Sequence, residues 1–210
     1  MNNQWKVIEH PLIKDNLTKL RDKNTKKIDF AASLKIISNL LIFEVCKNIK
    51  TKLKTIHTPF VETQSPILSQ KIILISILRA GLGMLESFKE ILPNAKIGHI
   101  GLKRSEEKFN FIQQYYLNLP EINDNDYVIV LDPMIATGNS AIKAINEIRK
   151  INNQSKIIFV SIIVSKISKQ NIDQKIKNIS FFTTATDPKL NKKQYIIPGL
   201  GDAGDRFFGT

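Results

Sequence analysis

The sequence predicts an α/β domain with a mainly parallel central sheet flanked by helices. Five short apolar runs, rich in β-branched residues, recur along the chain, as expected for strands that are covered on both faces. Segments with helical periodicity alternate with these runs, and such alternation favours a parallel sheet. At 210 residues the chain is long enough for one substantial core and too short for two ordinary enzyme domains. We therefore expect a single domain over residues 1–210.

The predicted elements follow one another in a regular order. Residues 31–50 place apolar groups at three- and four-residue spacing, which indicates an amphipathic helix. The apolar runs that predict strands are 72–78, 97–102, 127–131, 157–164 and 179–185. Further helices are predicted at 82–92, 140–151 and 168–177.

Residues 103–126 differ from the rest of the chain. They begin with charged residues, contain Phe109, Phe111, Tyr115 and Tyr116, and end beyond Pro120. This pattern predicts a protruding hairpin or flap. The sequence leaves open whether the flap is a lid, a subunit contact or an ordinary surface on which the aromatic residues pack.

The net charge of +12 raises the question of nucleic-acid binding. Lysine accounts for 26 of the 31 basic residues, and the lysines are spread along the chain without a dense block. We interpret them as a solvated surface that also attracts anionic substrates, with no nucleic-acid partner. Three of the five arginines, Arg79, Arg104 and Arg206, lie in or beside loop-like segments. Arginine suits such places when phosphate is bound, because its planar guanidinium forms bidentate contacts.

Other features exclude several classes of protein. No apolar run approaches the roughly 20 residues of a membrane span, and the N-terminal residues lack the apolar segment of a signal peptide. The single cysteine, Cys46, excludes an internal disulfide. His10, His57 and His99 show no metal-ligand spacing. We expect a cytoplasmic protein with no membrane partner and no metal held by side chains alone.

Residues 132–140, with the sequence DPMIATGNS, follow the predicted strand at 127–131. Small and hydroxyl residues that open a helix leave backbone N–H groups free for a phosphate, and the helix dipole reinforces that binding. Asp132, at the end of the strand, is suited to accept hydrogen bonds from two vicinal hydroxyls of a ribose. On the residues alone, an ordinary strand–turn–helix with Ser140 as N-cap explains the pattern equally well.

Two further segments are rich in glycine. Residues 77–84, ILRAGLGM, place a cation beside two glycines that let the backbone approach a ligand, although a tight strand–helix connection is the simpler interpretation. Residues 195–210, YIIPGLGDAGDRFFGT, expose many main-chain donors and acceptors that could read the edge of a small planar polar ring. A wrong ring would leave buried polar groups unpaired, at about 1–3 kcal/mol each.

These three segments resemble motifs of the uracil phosphoribosyltransferases, within the type I phosphoribosyltransferases. LDPMIATGNS resembles the family's motif for 5-phosphoribosyl-1-pyrophosphate (PRPP), with Asn139 where the family typically has a second glycine. If that position requires a positive φ, asparagine is the most tolerant residue after glycine. ILRAGLGM resembles the pyrophosphate-contacting loop, which implies a strained peptide near Arg79–Ala80. Arg104 stands where the family has an arginine that contacts PRPP, but an exposed arginine paired with Glu106 or Glu107 is also reasonable.

The resemblance implies a type I phosphoribosyltransferase fold with a flap at about 103–126 and a base-binding segment at 195–210. The implied catalytic residues are Arg79, Asp132 and Asp202. The implied PRPP contacts are Arg79, Arg104, Asp132, Pro133, Met134, Ile135, Ala136, Thr137, Gly138, Asn139, Ser140 and Asp202. The implied uracil contacts are Ile196, Gly201, Asp202 and Ala203.

The same resemblance implies that the chain converts uracil and PRPP to UMP and pyrophosphate, as a pentosyltransferase of pyrimidine salvage. The implied cofactor is Mg²⁺, held through PRPP with Asp202 as the protein candidate. The implied partners are a homodimer or homotetramer and a GTP effector. The chain departs from the family pattern after Thr25-Lys26 and at residues 165–168 (SKIS), which lack a Pro-Glu-Gly-like turn.

Two alternative functions are compatible with parts of the sequence. One is a phosphoribosyltransferase for a purine or for orotate, which the tail disfavours. The other is a non-catalytic regulator of this fold that binds nucleic acid through its positive surface, which the phosphate cradle and the tail together disfavour.

Overall fold

The computed structural model describes residues 2–104 and 112–210, apart from the side chain of Arg104. The helices are α1 (Pro11–Arg21), α2 (Lys27–Cys46), α3 (Leu82–Ile91), α4 (Asn139–Ile151), α5 (Lys166–Lys175) and α6 (Ala203–Phe208). The first seven strands are β1 (Gln4–Val7), β2 (Thr51–His57), β3 (Glu62–Leu68), β4 (Ile72–Leu78), β5 (Lys96–Arg104), β6 (Ile112–Asn118) and β7 (Tyr127–Leu131). The others are β8 (Met134–Ile135), β9 (Lys156–Val160), β10 (Ile163–Ser165), β11 (Ser180–Thr183), β12 (Ala185–Asp187), β13 (Lys189–Leu190) and β14 (Ile196–Ile197).

A seven-stranded sheet forms the centre of the molecule, in the order β1-β11-β9-β7-β4-β5-β6. Its neighbouring strands pair in parallel, except for the antiparallel pair β5–β6. Helices cover both faces. Leu74 and Ile129 pack in one core with α2 and α3, whereas Ile73 and Val128 pack in a second core with α4 and α5. The predicted α/β class with a mainly parallel sheet is confirmed.

The strands β4 and β7 have the predicted bounds, because residues 72–78 and 127–131 are apolar, apart from the buried Ser76, and are covered on both faces. The single strand predicted at 157–164 is wrong. It is divided into β9, in the central sheet, and β10, in a separate three-stranded sheet with β8 and β12. The strand predicted at 179–185 is likewise divided into β11 and β12. A small second sheet therefore lies beyond the carboxyl ends of the central strands.

The helix predicted at 31–50 begins earlier and ends earlier, at Lys27 and Cys46. Its buried residues recur every three or four positions, from Phe30 through Leu34, Ile37 and Leu41 to Val45, as predicted. The chain then forms the β2–β3 hairpin, which the sequence analysis did not predict. Most of the side chains of this hairpin are exposed, so the apolar runs that mark the other strands are missing here.

Strands β5 and β6 form the arms of a hairpin, with Arg104 paired to Ile112. All of β6 and only the last two residues of β5 lie in the segment predicted as a flap, so the hairpin begins earlier than predicted. Tyr115 and Tyr116 lie on β6 and are half exposed. Phe109 and Phe111, which contributed to the prediction, lie outside the described residues. Over the described part of the chain, none of the helices has the length and apolar character needed to cross a bilayer.

Candidate active site

Three loops meet beyond the carboxyl ends of the central parallel strands, where ligands bind in open α/β sheets. The loop after β4 contacts the end of β7 so closely that a Cβ atom at Gly81 would lie 2.4 Å from the carbonyl oxygen of Leu131. Only glycine fits this position. The C-terminal segment packs on the same loop, because a Cβ atom at Gly204 would lie 3.8 Å from Cβ of Ala80.

The meeting point of the loops contains a cavity of about 140 Å³. Its lining residues come from all three loops and from β14: Ala80, Met134, Ala136, Gln194, Tyr195, Ile196, Gly201, Asp202, Ala203 and Gly204. An apolar cavity of about 150 Å³ is known to hold a benzene ring, so this space matches a single six-membered ring. The four residues predicted to contact uracil, Ile196, Gly201, Asp202 and Ala203, all line it.

A second cavity of about 50 Å³ adjoins the first and shares Met134 and Ala136 with it. Its lining comes from one stretch of chain: Asp132, Met134, Ile135, Ala136, Thr137, Gly138, Ser140 and Ala141. Its small size suits a single phosphate group. We call residues 132–140 the phosphate loop.

The phosphate loop enters helix α4 through Gly138, which has a φ of 86° and occupies the N-cap position. The interpretation of Ser140 as N-cap is therefore wrong. Asn139 is already the first residue of α4, so the position that deviates from the family pattern is not the one that needs a positive φ. The asparagine imposes no backbone strain. Its N–H donates to Oγ1 of Thr137 at 3.4 Å, and the N–H groups of Ser140 and Ala141, which have no partner within the helix, remain available to an anion.

Two predicted PRPP contacts differ from the rest of the loop in their surroundings. Pro133 is buried and lines neither cavity, and its carbonyl oxygen accepts hydrogen bonds from the N–H groups of Ile162 and Ile163, at 3.0 and 3.1 Å. Ile135 is only 3% exposed and packs in the core beside α4. Pro133 therefore supports the loop from behind, whereas Ile135 joins the core to the lining of the smaller cavity, and Asn139, like Pro133, lines neither cavity. The side chain of Arg104, also predicted to contact PRPP, lies outside the described part of the structure.

Asp132 lies at the end of β7, half-buried in the wall of the smaller cavity. Burial raises the pKa of its carboxyl to about 7, the backbone N–H of Met134 opposes this rise, and the nearby charge of Asp202 adds to it. Perturbed carboxyls in clefts are typical of functional sites. Asp132 and Asp202 thus face the same space from the phosphate loop and from the tail.

Arg79 begins the loop after β4, and its guanidinium lies 2.9 Å from Oδ1 of Asp205 in the tail. The same guanidinium lies over the ring of Phe208, 5.8 Å from its centre. The side chain is 55% exposed, so it can reach a ligand in the cleft. The unusual peptide expected at Arg79–Ala80 is found one bond earlier, as a cis peptide between Leu78 and Arg79.

The C-terminal tail, residues 195–210, is held by contacts with α1 and β12. Arg21 forms a bidentate pair with Asp187, at 2.8 and 2.7 Å, and also donates to the carbonyl oxygen of Gly199 at 2.7 Å. Asp187 is buried and accepts a bond from the backbone N–H of Gly199 as well. This arrangement fixes the turn at Pro198-Gly199, where the Ile197–Pro198 peptide is cis and Gly199 has a φ of 63°.

Arg206 holds the tail rather than a phosphate. Its guanidinium donates to the carbonyl oxygens of Leu20, Leu200 and Asp22 and lies over the ring of Phe30, 4.4 Å from its centre. The glycine-rich sequence around Arg206 indicated a ligand contact, but these carbonyl oxygens occupy its donors. Sequence reasoning also missed Arg21 and Asp187, whose separation along the chain leaves no local signal.

The residues present fit a magnesium ion only together with a substrate. Within residues 2–104 and 112–210, no group of three or more histidine, cysteine or acidic side chains could hold a metal by itself. Asp132 and Asp202 nevertheless place carboxylates at one cleft. Mg²⁺ is commonly bound by one or two carboxylates together with substrate phosphates.

Known proteins resemble this chain over nearly its whole length. A family model described as uracil phosphoribosyltransferase matches residues 7–210. The chain is 43% identical over 209 residues to a uracil phosphoribosyltransferase of Legionella pneumophila, covering 99% of this chain and 97% of that protein. It is 45% identical over 204 residues to a uracil phosphoribosyltransferase of Malacoplasma penetrans, covering 97% and 98%.

Solved structures show the same relationship. The AQ2163 protein from Aquifex aeolicus superposes with a TM-score of 0.92 at 36% identity, covering 99% of both chains. The adenine phosphoribosyl transferase from Trypanosoma brucei, in complex with AMP, pyrophosphate and ribose-5-phosphate, has a TM-score of 0.59 at 11% identity, covering 90% of this chain and 87% of that one. The second similarity concerns the fold alone.

Proposed function

The chain belongs to the uracil phosphoribosyltransferase family, and from this premise we propose how its three loops divide the transfer of a phosphoribosyl group from PRPP to uracil. The products are UMP and pyrophosphate. The single observation that carries the proposal is the pair of adjoining cavities. One has the size of a pyrimidine ring and is lined by the tail, and the other is enclosed by the phosphate loop.

The phosphate loop holds the ribose phosphate. The N–H groups at the start of α4 and the hydroxyls of Thr137 and Ser140 bind the 5′-phosphate, helped by the helix dipole. Ionised Asp132 accepts hydrogen bonds from the two ribose hydroxyls. These contacts place the anomeric carbon between the two cavities, so that both reacting partners meet in a fixed geometry.

The tail holds uracil in the larger cavity through Ile196 and residues 201–203. Main-chain donors and acceptors match the carbonyl and ring N–H groups of uracil, and cytosine would leave such groups unpaired. The ring nitrogen forms a bond to the anomeric carbon and its proton passes to water, while the bond from that carbon to the pyrophosphate oxygen breaks. The leaving pyrophosphate takes both electrons of the broken bond.

The negative charge that develops on pyrophosphate is neutralised by Arg79. We assign the same role to Arg104, because it stands where the family has an arginine that contacts PRPP. Mg²⁺, when bound with PRPP, supplies further positive charge to the pyrophosphate oxygens. Asp202 is the side chain that we assign to the ion. Its Oδ1 also accepts a bond from the backbone N–H of Asp205, which fixes the orientation of the carboxylate at the start of α6.

The decisive experiment is incubation of the purified protein with radiolabelled uracil, PRPP and Mg²⁺. We expect UMP and pyrophosphate in equal amounts, and no nucleotide from orotate, hypoxanthine or cytosine. Efficient turnover of another base would assign the larger cavity to that base instead. The family match does not favour the alternative of a non-catalytic regulator. Salt-sensitive binding of RNA or DNA without UMP formation would favour the non-catalytic regulator.

The pKa of Asp132 predicts a pH dependence. We expect kcat/KM for PRPP to rise through an apparent pKa of about 7, because only the ionised carboxylate accepts hydrogen bonds from both ribose hydroxyls. This ratio reports groups of the free enzyme, so a series from about pH 5.5 to about pH 9 measures the effect. Asp132→Asn cannot titrate and serves as the control for ionisation of PRPP itself. An unchanged acidic limb in that variant would assign the limb to another group.

We further propose that the protein acts in the cytoplasm as a homodimer or homotetramer. Large apolar side chains support self-association: Ile28 and Phe43 on α2, and Phe60 at the turn of the β2–β3 hairpin, are 81%, 69% and 96% exposed. The molar mass in solution, measured by light scattering, tests this assembly. GTP is the effector proposed from the family resemblance, and initial rates with and without GTP test it.

A further inference from the structure

The first two turns of α5 lie directly behind the phosphate loop. A Cβ atom at Gly138 would lie 3.2 Å from the carbonyl oxygen of Ser168 and 3.0 Å from Cγ1 of Ile172. The described lining of the smaller cavity comes only from residues 132–141. Helix α5 therefore contacts the loop on the face that is turned away from the cavity.

Side chains of this region bind two successive carbonyl groups of the loop. The hydroxyl of Ser165 donates to the carbonyl oxygen of Ala136 at 2.5 Å. The amide of Asn171 donates to the carbonyl oxygen of Thr137 at 2.8 Å and to Oδ1 of Asn139 at 3.0 Å. These bonds connect α5 to the loop at the residues where the loop turns into α4.

The hydroxyl of Ser165 has a defined orientation. Its oxygen accepts a bond from the backbone N–H of Ser168 at 2.9 Å, and the hydroxyl of Ser168 donates back to the carbonyl oxygen of Ser165 at 2.8 Å. Both serines are fully buried. Because one side of the Ser165 oxygen is occupied by a donor, its proton is directed to Ala136.

Because the peptide bond is planar, a contact that fixes a carbonyl group also fixes the direction of the next N–H group. The peptides after Ala136 and Thr137 are trans, so each C=O and the N–H of the next residue point in opposite directions. Carbonyls that are held toward α5 turn the N–H groups of Thr137 and Gly138 toward the cavity. Donors fixed before the ligand arrives need no reorganisation when it binds.

We propose that Asn171, with Ser165 beside it, is a positioning residue that aims the N–H groups of the phosphate loop at the 5′-phosphate of PRPP. The inference rests on the proposed function, since it concerns the substrate of the same loop. Asn171 lines neither cavity, and it lies on α5, which is outside the three sequence motifs. Asn139 takes part as the acceptor that fixes the amide of Asn171.

The test compares Asn171→Ala with the isosteric Asn171→Asp. Asn171→Ala removes both donated bonds, and we expect KM and Kd for PRPP to rise about tenfold, with kcat and KM for uracil within about twofold of wild type. Asn171→Asp places a carboxylate against the carbonyl oxygen of Thr137 and Oδ1 of Asn139, and should raise Kd for PRPP further. Kd is measured by titration calorimetry with PRPP and Mg²⁺ in the absence of uracil.

Asn152→Ala is the matched control. Asn152 follows the other end of α4, and its amide also donates two bonds, at 3.3 and 2.8 Å, to the carbonyl oxygen of Ile122 and to Asp124. We expect this variant to lose stability without a change in Kd for PRPP. Unchanged PRPP affinity in both Asn171 variants would overturn the inference, as would an equal loss of affinity in Asn152→Ala. Failure of the wild-type protein to form UMP would instead overturn the proposed function.

Discussion

Replacement of Asp132 by alanine is expected to lower kcat/KM for PRPP by roughly 10²- to 10⁴-fold. The carboxylate accepts two hydrogen bonds from the ribose in the proposed complex. Bonds to charged groups contribute about 1.5–3 kcal/mol each, and about 1.4 kcal/mol corresponds to a tenfold change in rate. Initial rates of UMP formation at about pH 8, where the wild-type carboxyl is ionised, measure the loss.

The same variant is expected to stay folded. Burial raises the pKa of Asp132 from 3.8 to about 7, so the folded state holds the proton more tightly than the unfolded state. The carboxyl therefore destabilises the fold progressively as pH rises from about 4 to about 7, and this cost is fully present at pH 8. We expect Tm of Asp132→Ala at pH 8 to equal or exceed that of wild type, and near-normal kcat/KM in this folded variant would contradict the assignment.

Asp124→Ala is the control for this substitution. Asp124 is exposed at the opposite end of β7 and accepts a bond from Asn152. The change removes the same chemical group from the same βα unit, at a distance from the cleft. We expect its kcat/KM to stay within about twofold of wild type, as for most surface substitutions.

Replacement of Arg79 by alanine is expected to lower kcat by roughly 10²- to 10³-fold, the usual effect of removing one preorganised donor from a developing anion. Negative charge on pyrophosphate grows as the bond to the anomeric carbon breaks, so the loss should appear in kcat more than in the affinity for PRPP. Arg79→Lys keeps the charge without the planar fork and should be intermediate. The loss is measured as the single-turnover rate of UMP formation, which excludes product release and so reports the bond-breaking step.

Arg149→Ala provides the comparison. Arg149 lies in the last turn of α4 and donates to the carbonyl oxygen of Lys177, away from the three loops. We expect this variant to retain kcat. A wild-type single-turnover rate in Arg79→Ala would show that Arg79 serves the tail through Asp205 rather than the leaving group.

The sequence predicts the central strands well where both faces of a strand are buried. Residues 72–78 and 127–131 are apolar at every position except Ser76 and become β4 and β7 without a shift. The run at 157–164 is also apolar, but Ser161 and Ile162 separate two strands that belong to different sheets. Apolar character records burial and does not record the sheet in which a residue is buried.

The β2–β3 hairpin shows the opposite limit. Its strands carry lysine, threonine and glutamine with mostly exposed side chains, so neither apolar alternation nor a tight-turn dipeptide identifies them. The hairpin is recognised only when its seven backbone pairs are seen. Local composition therefore fails where pairing, rather than burial, stabilises the element.

The residues of the candidate site were likewise predicted where a local motif marks them and missed where only a distant contact does. Asp132, the glycines and the tail were predicted because each stands in a contiguous motif, and the structure brings these motifs together. Arg21, Asp187 and Asn171 were missed, because each acts through a partner distant in the sequence. Arg206 drew attention because it stands among glycines near the end of the chain, but no local pattern shows that carbonyl oxygens surround its guanidinium.

The attachment of the tail to α1 sets the order in which the site can be completed. Arg21 meets Asp187 across 166 positions of the chain, and Arg206 meets Leu20 across 186. Such distant contacts close late, whereas each βα unit of the sheet forms from near neighbours. During synthesis the loop that we propose to bind the sugar phosphate, residues 132–140, is therefore complete before the tail that we propose to bind the base can attach to α1.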